Sequence, residues 1–200
     1  MALASHRIFH LSSLAEKKQQ FASFFLINHP TKVNVNFIDA SNGQQSMHEF
    51  ETNMPYAFRI ASELSEIESQ ALKPLRSMGG KLDGLVDYLQ LQARKIDLMM
   101  SYILIQQDDE EKRAEAIKFG GGGIIVSHSS LIDIGAIAEV KVFLEQEAAA
   151  VYCLAEVIDV EEIDDLYHVS YVYTHIRDQD QELLVRASLH LQTNQLRSNR

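Results

Sequence analysis

Cysteine, basic residues and long apolar stretches are all scarce in this 200-residue sequence. The single cysteine, Cys153, excludes a disulfide within the chain and is typical of a protein from a reducing compartment. Its apolar surroundings predict a small buried side chain. No apolar stretch approaches the roughly 18 residues that a membrane-spanning helix needs, and the first residues lack the core of a signal peptide. We therefore expect a cytoplasmic protein without a membrane span.

The shortage of positive charge limits the choice of partners. The 18 Lys and Arg residues are outnumbered by 28 Asp and Glu residues, which gives a formal net charge of −10. A protein that binds the phosphate backbone over a broad surface needs the opposite sign, so we do not expect nucleic acid as a partner. The net charge still allows a small anionic ligand to bind in a local basic pocket.

Motifs for catalysis and metal binding are also missing. The run Gly120–Gly123 is not followed by the Gly-Lys-Ser/Thr of a phosphate-binding loop, and Ile125 occupies the last position of a dinucleotide-binding pattern. The histidines are scattered; His6 and His10 would share a helical face, but no third ligand stands at a suitable spacing. No nucleophile stands beside a base. We therefore expect no enzyme, no cofactor and no metal.

The feature that dominates the sequence is a heptad pattern of mainly apolar residues. Its positions alternate in steps of three and four: Leu82, Leu85, Leu89, Gln92, Ile96, Met99, Ile103 and Gln106. This spacing predicts a helix on the order of 40 Å long with a narrow stripe that pairs with another helix. A small β domain cannot cover that length, so we expect an oligomer interface in a dimer or a tetramer. The helix is apolar over more than the stripe, however, and packing inside one protomer is the alternative.

Strand-like patterns lie on both sides of this helix. Before it, the patterns predict the following elements: a strand over 21–27 that Pro30 ends, a strand over 33–38, a hairpin turn at Asn42-Gly43 and a returning strand over 46–50. After it, they predict four strands and a final helix: 124–126, 136–144, 151–160, 166–174 and a helix from Asp178. Short strands with short connections are typical of an antiparallel barrel. We therefore interpret the central helices as an insertion into that barrel. We predict a barrel with a C-terminal helix from 15–50 and 114–200, and a helical oligomerisation insertion from 52–113.

The order of these elements resembles the PilZ domain family. Gly123-Ile124-x-Val126, Leu131-x-x-x-Gly135 and the alternating strand that follows are similar to the first half of a PilZ domain. The stretch Tyr167-His168-Val169, the aromatic Tyr173 and Asp180-x-x-x-Leu184 are similar to its end. The resemblance implies an α+β fold: an antiparallel six-stranded PilZ-like barrel with a long heptad-bearing helical insertion and a C-terminal helix. The sequence also resembles a bacterial subgroup of this family in which such an insertion drives oligomerisation.

PilZ domains are mainly receptors for cyclic di-GMP, which they bind with an R-x-x-x-R arm and a [D/N]-x-S-x-x-G strand start. The arm position here holds Lys17 and Lys18, with Ala22 four residues after Lys18, and the second element aligns from Lys118 through Gly120 to Gly123. Lysine lacks the planar fork with which arginine grips a phosphate, and the other polar groups are absent. Each lost charge-assisted contact is worth roughly 1.5–3 kcal/mol, so affinity should fall by several powers of ten. A weak anion site is still an alternative; its residues would be Lys17, Lys18, Lys118, Gly120 and Gly123.

Two functions follow from the resemblance. The first is a self-associating regulatory adaptor of cyclic-di-GMP-linked motility or surface signalling, such as flagella or type IV pili, which engages a protein partner and binds the nucleotide weakly or not at all. The alternative is a cyclic di-GMP receptor with a diverged Lys/Gly site.

Overall fold

The computed structural model describes residues 13–61, 63–64, 67, 83–147 and 149–198. It has six strands: β1 (Ile27–Ile38), β2 (Arg113–Phe119), β3 (Gly123–His128), β4 (Ile137–Leu144), β5 (Ala149–Ile163) and β6 (Leu166–His175). The longer helices are α1 (Leu14–Ala22), α2 (Met47–Asn53), α3 (Asp83–Ile105) and α4 (Asp178–Ser198). Single 3-10 turns lie at Asn42–Gln44, Glu110–Lys112 and Glu145–Glu147, and residues 56–61 are helical.

The strands form a closed barrel in the order β1-β2-β3-β6-β5-β4, with every neighbouring pair antiparallel. Alternate residues point inward, as the period of two requires. Val33, Val140 and Val157 are fully buried there, and Cys153 is buried, as predicted. The C-terminal helix adds Leu184, Ala187 and Leu191 to this core. The predicted α+β fold, a six-stranded antiparallel barrel with a C-terminal helix, is confirmed.

A second apolar cluster lies on the outer face of β4 and β5. The helical residues between β1 and β2 supply half of its buried side chains, which are Phe50, Met54, Phe58, Leu104, Phe143, Ala150, Tyr152 and Leu154. Phe50 stacks on Tyr152 with 5.6 Å between ring centroids and 12° between ring planes. Among the described residues of the helical region, Phe50, Met54, Phe58 and Leu104 are therefore the ones buried on the barrel.

Several local predictions before the heptad helix are wrong. Phe21 and Ala22 belong to α1, and β1 begins only at Ile27. Pro30 lies inside β1, at an irregularity in its pairing with β2 between Asn28 and Thr31, where a missing N–H is tolerated.

The predicted returning strand over 46–50 is also wrong, because this stretch lies at the start of α2. The Ser46 hydroxyl accepts a hydrogen bond from the Glu49 N–H, and the Glu49 carboxylate accepts one from the Ser46 N–H. This capping box favours a helix over a strand. Asn42-Gly43 lies in a 3-10 turn instead of a hairpin. The division into barrel and insertion domains stays a prediction.

Candidate functional site

The predicted ligand lysines Lys17 and Lys18 lie on α1, which begins with a capping box between Ser13 and Glu16. Helix α1 crosses the outside of β5. The Lys17 ammonium group lies 2.6 Å from a carboxylate oxygen of Glu156, and the Lys18 ammonium group lies 2.7 Å from one of Asp159. Both positive charges are therefore compensated by carboxylates of β5.

The predicted glycine turn connects β2 to β3. The Gly120 N–H donates to the Gly123 carbonyl oxygen at 3.0 Å, which closes the hairpin. A side chain at Gly122 would overlap the Phe24 ring, and one at Gly123 would overlap the Phe21 ring and the backbone of β6. Glycine is needed here because α1 and the segment after it lie directly on the turn.

The third predicted lysine, Lys118, is half-buried on β2, where it pairs with Asn28 of β1 and Ile125 of β3. The structure thus places Phe21 and Phe24 on the glycine turn and turns the ammonium groups of Lys17 and Lys18 toward β5. A weak anion site of these residues stays a prediction, since the geometry shows only their packing and ion pairs.

The predicted oligomer interface lies on α3 and faces solvent. Of its residues, Leu82 lies outside the described part of the chain. Leu85, Ile96, Met99 and Ile103 are 47%, 45%, 64% and 40% exposed, Gln106 is also exposed, and Leu89 and Gln92 are half-buried. Among the described side chains of α3, only Leu104 is buried. The described barrel therefore does not cover the heptad stripe.

The apolar surface of α3 that extends beyond the heptad stripe forms a second stripe. It follows the same steps of three and four and consists of Tyr88, Leu91, Lys95, Leu98, Tyr102 and Ile105. Its apolar members are 46–67% exposed, more than most of the heptad residues. The steps of three and four are visible in the sequence, but Lys95 interrupts the apolar pattern and makes the stripe harder to recognise. The two stripes together make one broad apolar face.

Comparison with known proteins gives a structural match but no sequence match. No family model and no curated protein matches the sequence. A pathogenic protein of Xanthomonas campestris, described as a tetrameric PilZ domain self-assembled through an unusual helical bundle, superposes with a TM-score of 0.52 at 17% identity. The alignment covers 93% of this chain and 99% of that one. This chain has the PilZ fold.

A second solved structure overlaps only in part. An inhibitor of motility from Bacillus subtilis aligns over 41% of this chain and 42% of that one, at 19% identity and a TM-score of 0.39. The fold assignment therefore rests on the match to the Xanthomonas campestris protein.

The base of α3 is fixed to the PilZ barrel. Leu104 is buried in the outer apolar cluster, and the Lys141 ammonium group of β4 donates to the Gln107 carbonyl oxygen at 2.8 Å. Gln107 lies just beyond the last turn of the helix, where carbonyl oxygens lack helical partners. The helix is thus held at its C-terminal end and projects from there.

A polar network secures the same junction. Asn34, which is buried, donates to Asp108 Oδ1 at 2.9 Å and accepts from the Asp109 N–H at 2.8 Å. Burial alone would raise the pKa of Asp108, but hydrogen bonds from Arg113 and Asn34 and the charges of Lys32 and Arg113 outweigh it and lower that pKa. The residues of this network lie far apart in the sequence, so no local pattern predicts it.

The described residues offer neither a metal centre nor a membrane-spanning helix. Those residues contain no group of three or more His, Cys, Asp or Glu side chains that could hold a metal ion. None of the described helices is long and apolar enough to cross a membrane.

Proposed function

We propose that this protein is a non-enzymatic, cytoplasmic PilZ-type adaptor that self-associates through α3 and engages a protein partner in cyclic-di-GMP-linked motility or surface signalling. In this proposal it does not bind cyclic di-GMP by the usual motif. The observation that carries the proposal is the broad apolar face of α3, which projects from the barrel and lies in solvent.

The exposure of this face supports self-association. Among the described residues of α3, nine large apolar side chains are at least 40% exposed. Covering one such side chain is worth roughly 1.5–3 kcal/mol, so a partner helix with the same face would be held strongly. Because the base of α3 is fixed to the barrel, each protomer presents the face in one direction.

The width of the face favours a bundle of more than two helices. A helix in a two-stranded coiled coil needs one stripe, whereas a helix in a four-helix bundle contacts two neighbours and needs a wider face. The tetramer described for the Xanthomonas campestris protein, which is built through a helical bundle, supports the same arrangement. A tetramer is therefore proposed in preference to a dimer.

Three features support loss of the usual ligand chemistry. The sequence has no pair of arginines four residues apart. The lysines that replace the arm are ion-paired with Glu156 and Asp159, and Phe24 occupies the space above the glycine turn. A dinucleotide would have to displace both the ion pairs and the rings.

Sedimentation of matched variants tests the assembly. Leu89→Lys/Ile96→Lys places charge on the heptad stripe, and Leu91→Lys/Leu98→Lys places it on the second stripe with the same spacing of seven. Gln90→Lys/Asp97→Lys, at exposed positions outside both stripes, is the matched control. We expect the control to sediment as the wild-type tetramer and both stripe variants to dissociate with unchanged circular dichroism of the barrel. A monomeric wild-type protein, or dissociation of the control alone, would refute the assembly.

Calorimetric titration with cyclic di-GMP tests the ligand part. We expect no saturable heat with the wild-type protein. Saturable binding at micromolar concentration that is lost in Lys17→Ala/Lys118→Ala would favour the alternative, a cyclic di-GMP receptor with a diverged Lys/Gly site.

A further inference from the structure

One end of the barrel combines exposed apolar side chains with carboxylates. The end of β1, the loop from β3 to β4 and the hairpin from β5 to β6 meet there. Its exposed large apolar side chains are Phe37, Leu131, Ile134, Ile163 and Leu166, which are 36–67% exposed. Single exposed apolar residues are ordinary on a protein surface, but a group at one end of a barrel is typical of an interaction site.

The same end is strongly acidic. Its exposed carboxylates are Asp39, Asp133, Glu161, Glu162, Asp164 and Asp165. None of them forms an ion pair within the described part of the chain. The three segments that form the end, 36–41, 128–138 and 157–168, contain no Lys or Arg. We call the residues of these two lists the acidic end.

Among the described strands, β5 has a free edge at the acidic end. It pairs with β4 as far as Glu156, and the Val157 N–H and carbonyl oxygen bond to the loop before β4. Beyond Val157, the described strands pair with β5 only on the β6 side, through Ile163. A strand edge of this kind can accept an added strand from another chain.

The charges of this edge select the partner. Glu161 and Glu162 lie on the edge segment and repel a second copy of a chain whose net charge is −10. They also repel an anionic membrane surface and a phosphate ligand. A cationic segment is attracted by the same charges and can place its apolar residues on Leu131 and Ile134.

We propose that the acidic end binds a basic, partly apolar segment of another protein, which adds in extended form to the free edge of β5. This inference deepens the adaptor role proposed above and rests on it, because it assigns the surface through which the adaptor meets its partner. The surface is separate from the α3 face, so a bundle of protomers can bind several partner chains.

A synthetic peptide of alternating lysine and valine, labelled with fluorescein, serves as the probe, and the same peptide with glutamate for lysine is its control. Fluorescence anisotropy measures binding to the full chain. Glu161→Lys/Glu162→Lys changes the acidic end, and Glu51→Lys/Glu182→Lys makes the same change of net charge at exposed positions on α2 and α4. Leu131→Ser/Ile134→Ser tests the apolar part without changing any charge.

We expect the lysine peptide to bind the wild-type protein and the glutamate peptide not to bind. Affinity should fall at least about tenfold in the acidic-end variant and in Leu131→Ser/Ile134→Ser, but less than about twofold in the charge control. Amide hydrogen exchange over 159–163 should slow when the peptide binds. The proposal is overturned by no binding, by an equal loss in both charge variants, or by unchanged exchange at this edge.

The test is independent of self-association. Glu161→Lys/Glu162→Lys should sediment like the wild-type protein, and Leu89→Lys/Ile96→Lys should bind the peptide with unchanged affinity per protomer. Failure of the peptide experiment therefore does not contradict the proposed oligomer. A monomeric wild-type protein likewise does not contradict the proposed peptide binding.

Discussion

The Lys17 ammonium group and the Glu156 carboxylate form a close ion pair that joins α1 to β5, with 20% and 16% of the two side chains exposed. The neighbouring pair between Lys18 and Asp159 is more open, with 42% and 53% exposed. The two pairs come from the same helix and reach the same strand. They therefore allow the structural role of the lysines to be separated from a role in ligand binding.

We expect Lys17→Ala to lower the free energy of unfolding by about 1–2 kcal/mol, because Glu156 is left half-buried without its partner. Lys18→Ala, the matched control, should change it by less than about 0.5 kcal/mol, because water screens that pair. Urea denaturation measures both values. Equal losses in the two variants would show that burial does not distinguish the pairs.

The junction between α3 and the barrel gives a second prediction. Asn34→Ala should destabilise the protein by about 2 kcal/mol, because the buried Asp108 carboxylate and the Asp109 N–H lose their partner. Asn36→Ala is the control: Asn36 is half-buried and donates to Glu139 at 2.8 Å, and its loss should cost about 0.5 kcal/mol. Urea midpoints compare the two. A larger loss at Asn36 would contradict the importance of the junction.

The sequence predicted the parts of the fold that repeat. The alternation through β4, β5 and β6 and the heptad steps of α3 extend over many residues, so one ambiguous position does not change the pattern. Boundaries set by a single interaction were missed. The spacing Ser46-x-x-Glu49 is that of a capping box, but the hairpin turn expected at Asn42-Gly43 favoured a returning strand there, so the helix start was missed.

The contacts of the candidate site residues could not be predicted from the sequence. Lys17 and Lys18 lie on α1, but their partners Glu156 and Asp159 are separated from them by about 140 residues of sequence. No local pattern reports such a pairing. The same holds for Asn34 and Asp108, whose contact depends on how the barrel closes. Asp108 begins the charge run 108–113, a pattern typical of a solvated surface, yet only 8% of its side chain is exposed.

His128 gives the protein a dependence on pH. Burial lowers the pKa of its ring below the ordinary value of 6.5, and Nε2 lies 2.8 Å from the Tyr171 hydroxyl. The unfolded chain then takes up a proton at a higher pH than the folded chain does. As the pH falls below about 6.5, the free energy of unfolding should therefore decrease, by at most about 1.4 kcal/mol per pH unit.

Urea midpoints at about pH 5 and pH 7 measure this effect. We expect His128→Gln to reduce the difference between the two midpoints, whereas His48→Gln, at an exposed position on α2, should leave it unchanged. An unchanged difference in His128→Gln would mean that other groups cause the loss of stability in acid.

The turn between β5 and β6 links stability to the acidic end. Ile163 pairs directly with Leu166, so Asp164 and Asp165 form the two-residue turn of the hairpin. Their φ angles are 51° and 63°. Asn-Gly is the pair that such a turn favours, because a side chain at positive φ is strained. The chain instead keeps two adjacent carboxylates there, which repel each other.

Asp164→Asn/Asp165→Gly should therefore raise the free energy of unfolding by about 1 kcal/mol and lower the affinity for the lysine–valine peptide. Asp164→Asn/Asp165→Asn removes the same charges but keeps a side chain at the second position, so it should weaken the peptide equally and gain less stability. Thermal denaturation and anisotropy separate the two effects. A stability gain without loss of affinity would mean that the carboxylates of the turn take no part in binding, because the only change common to both variants is the removal of their charge.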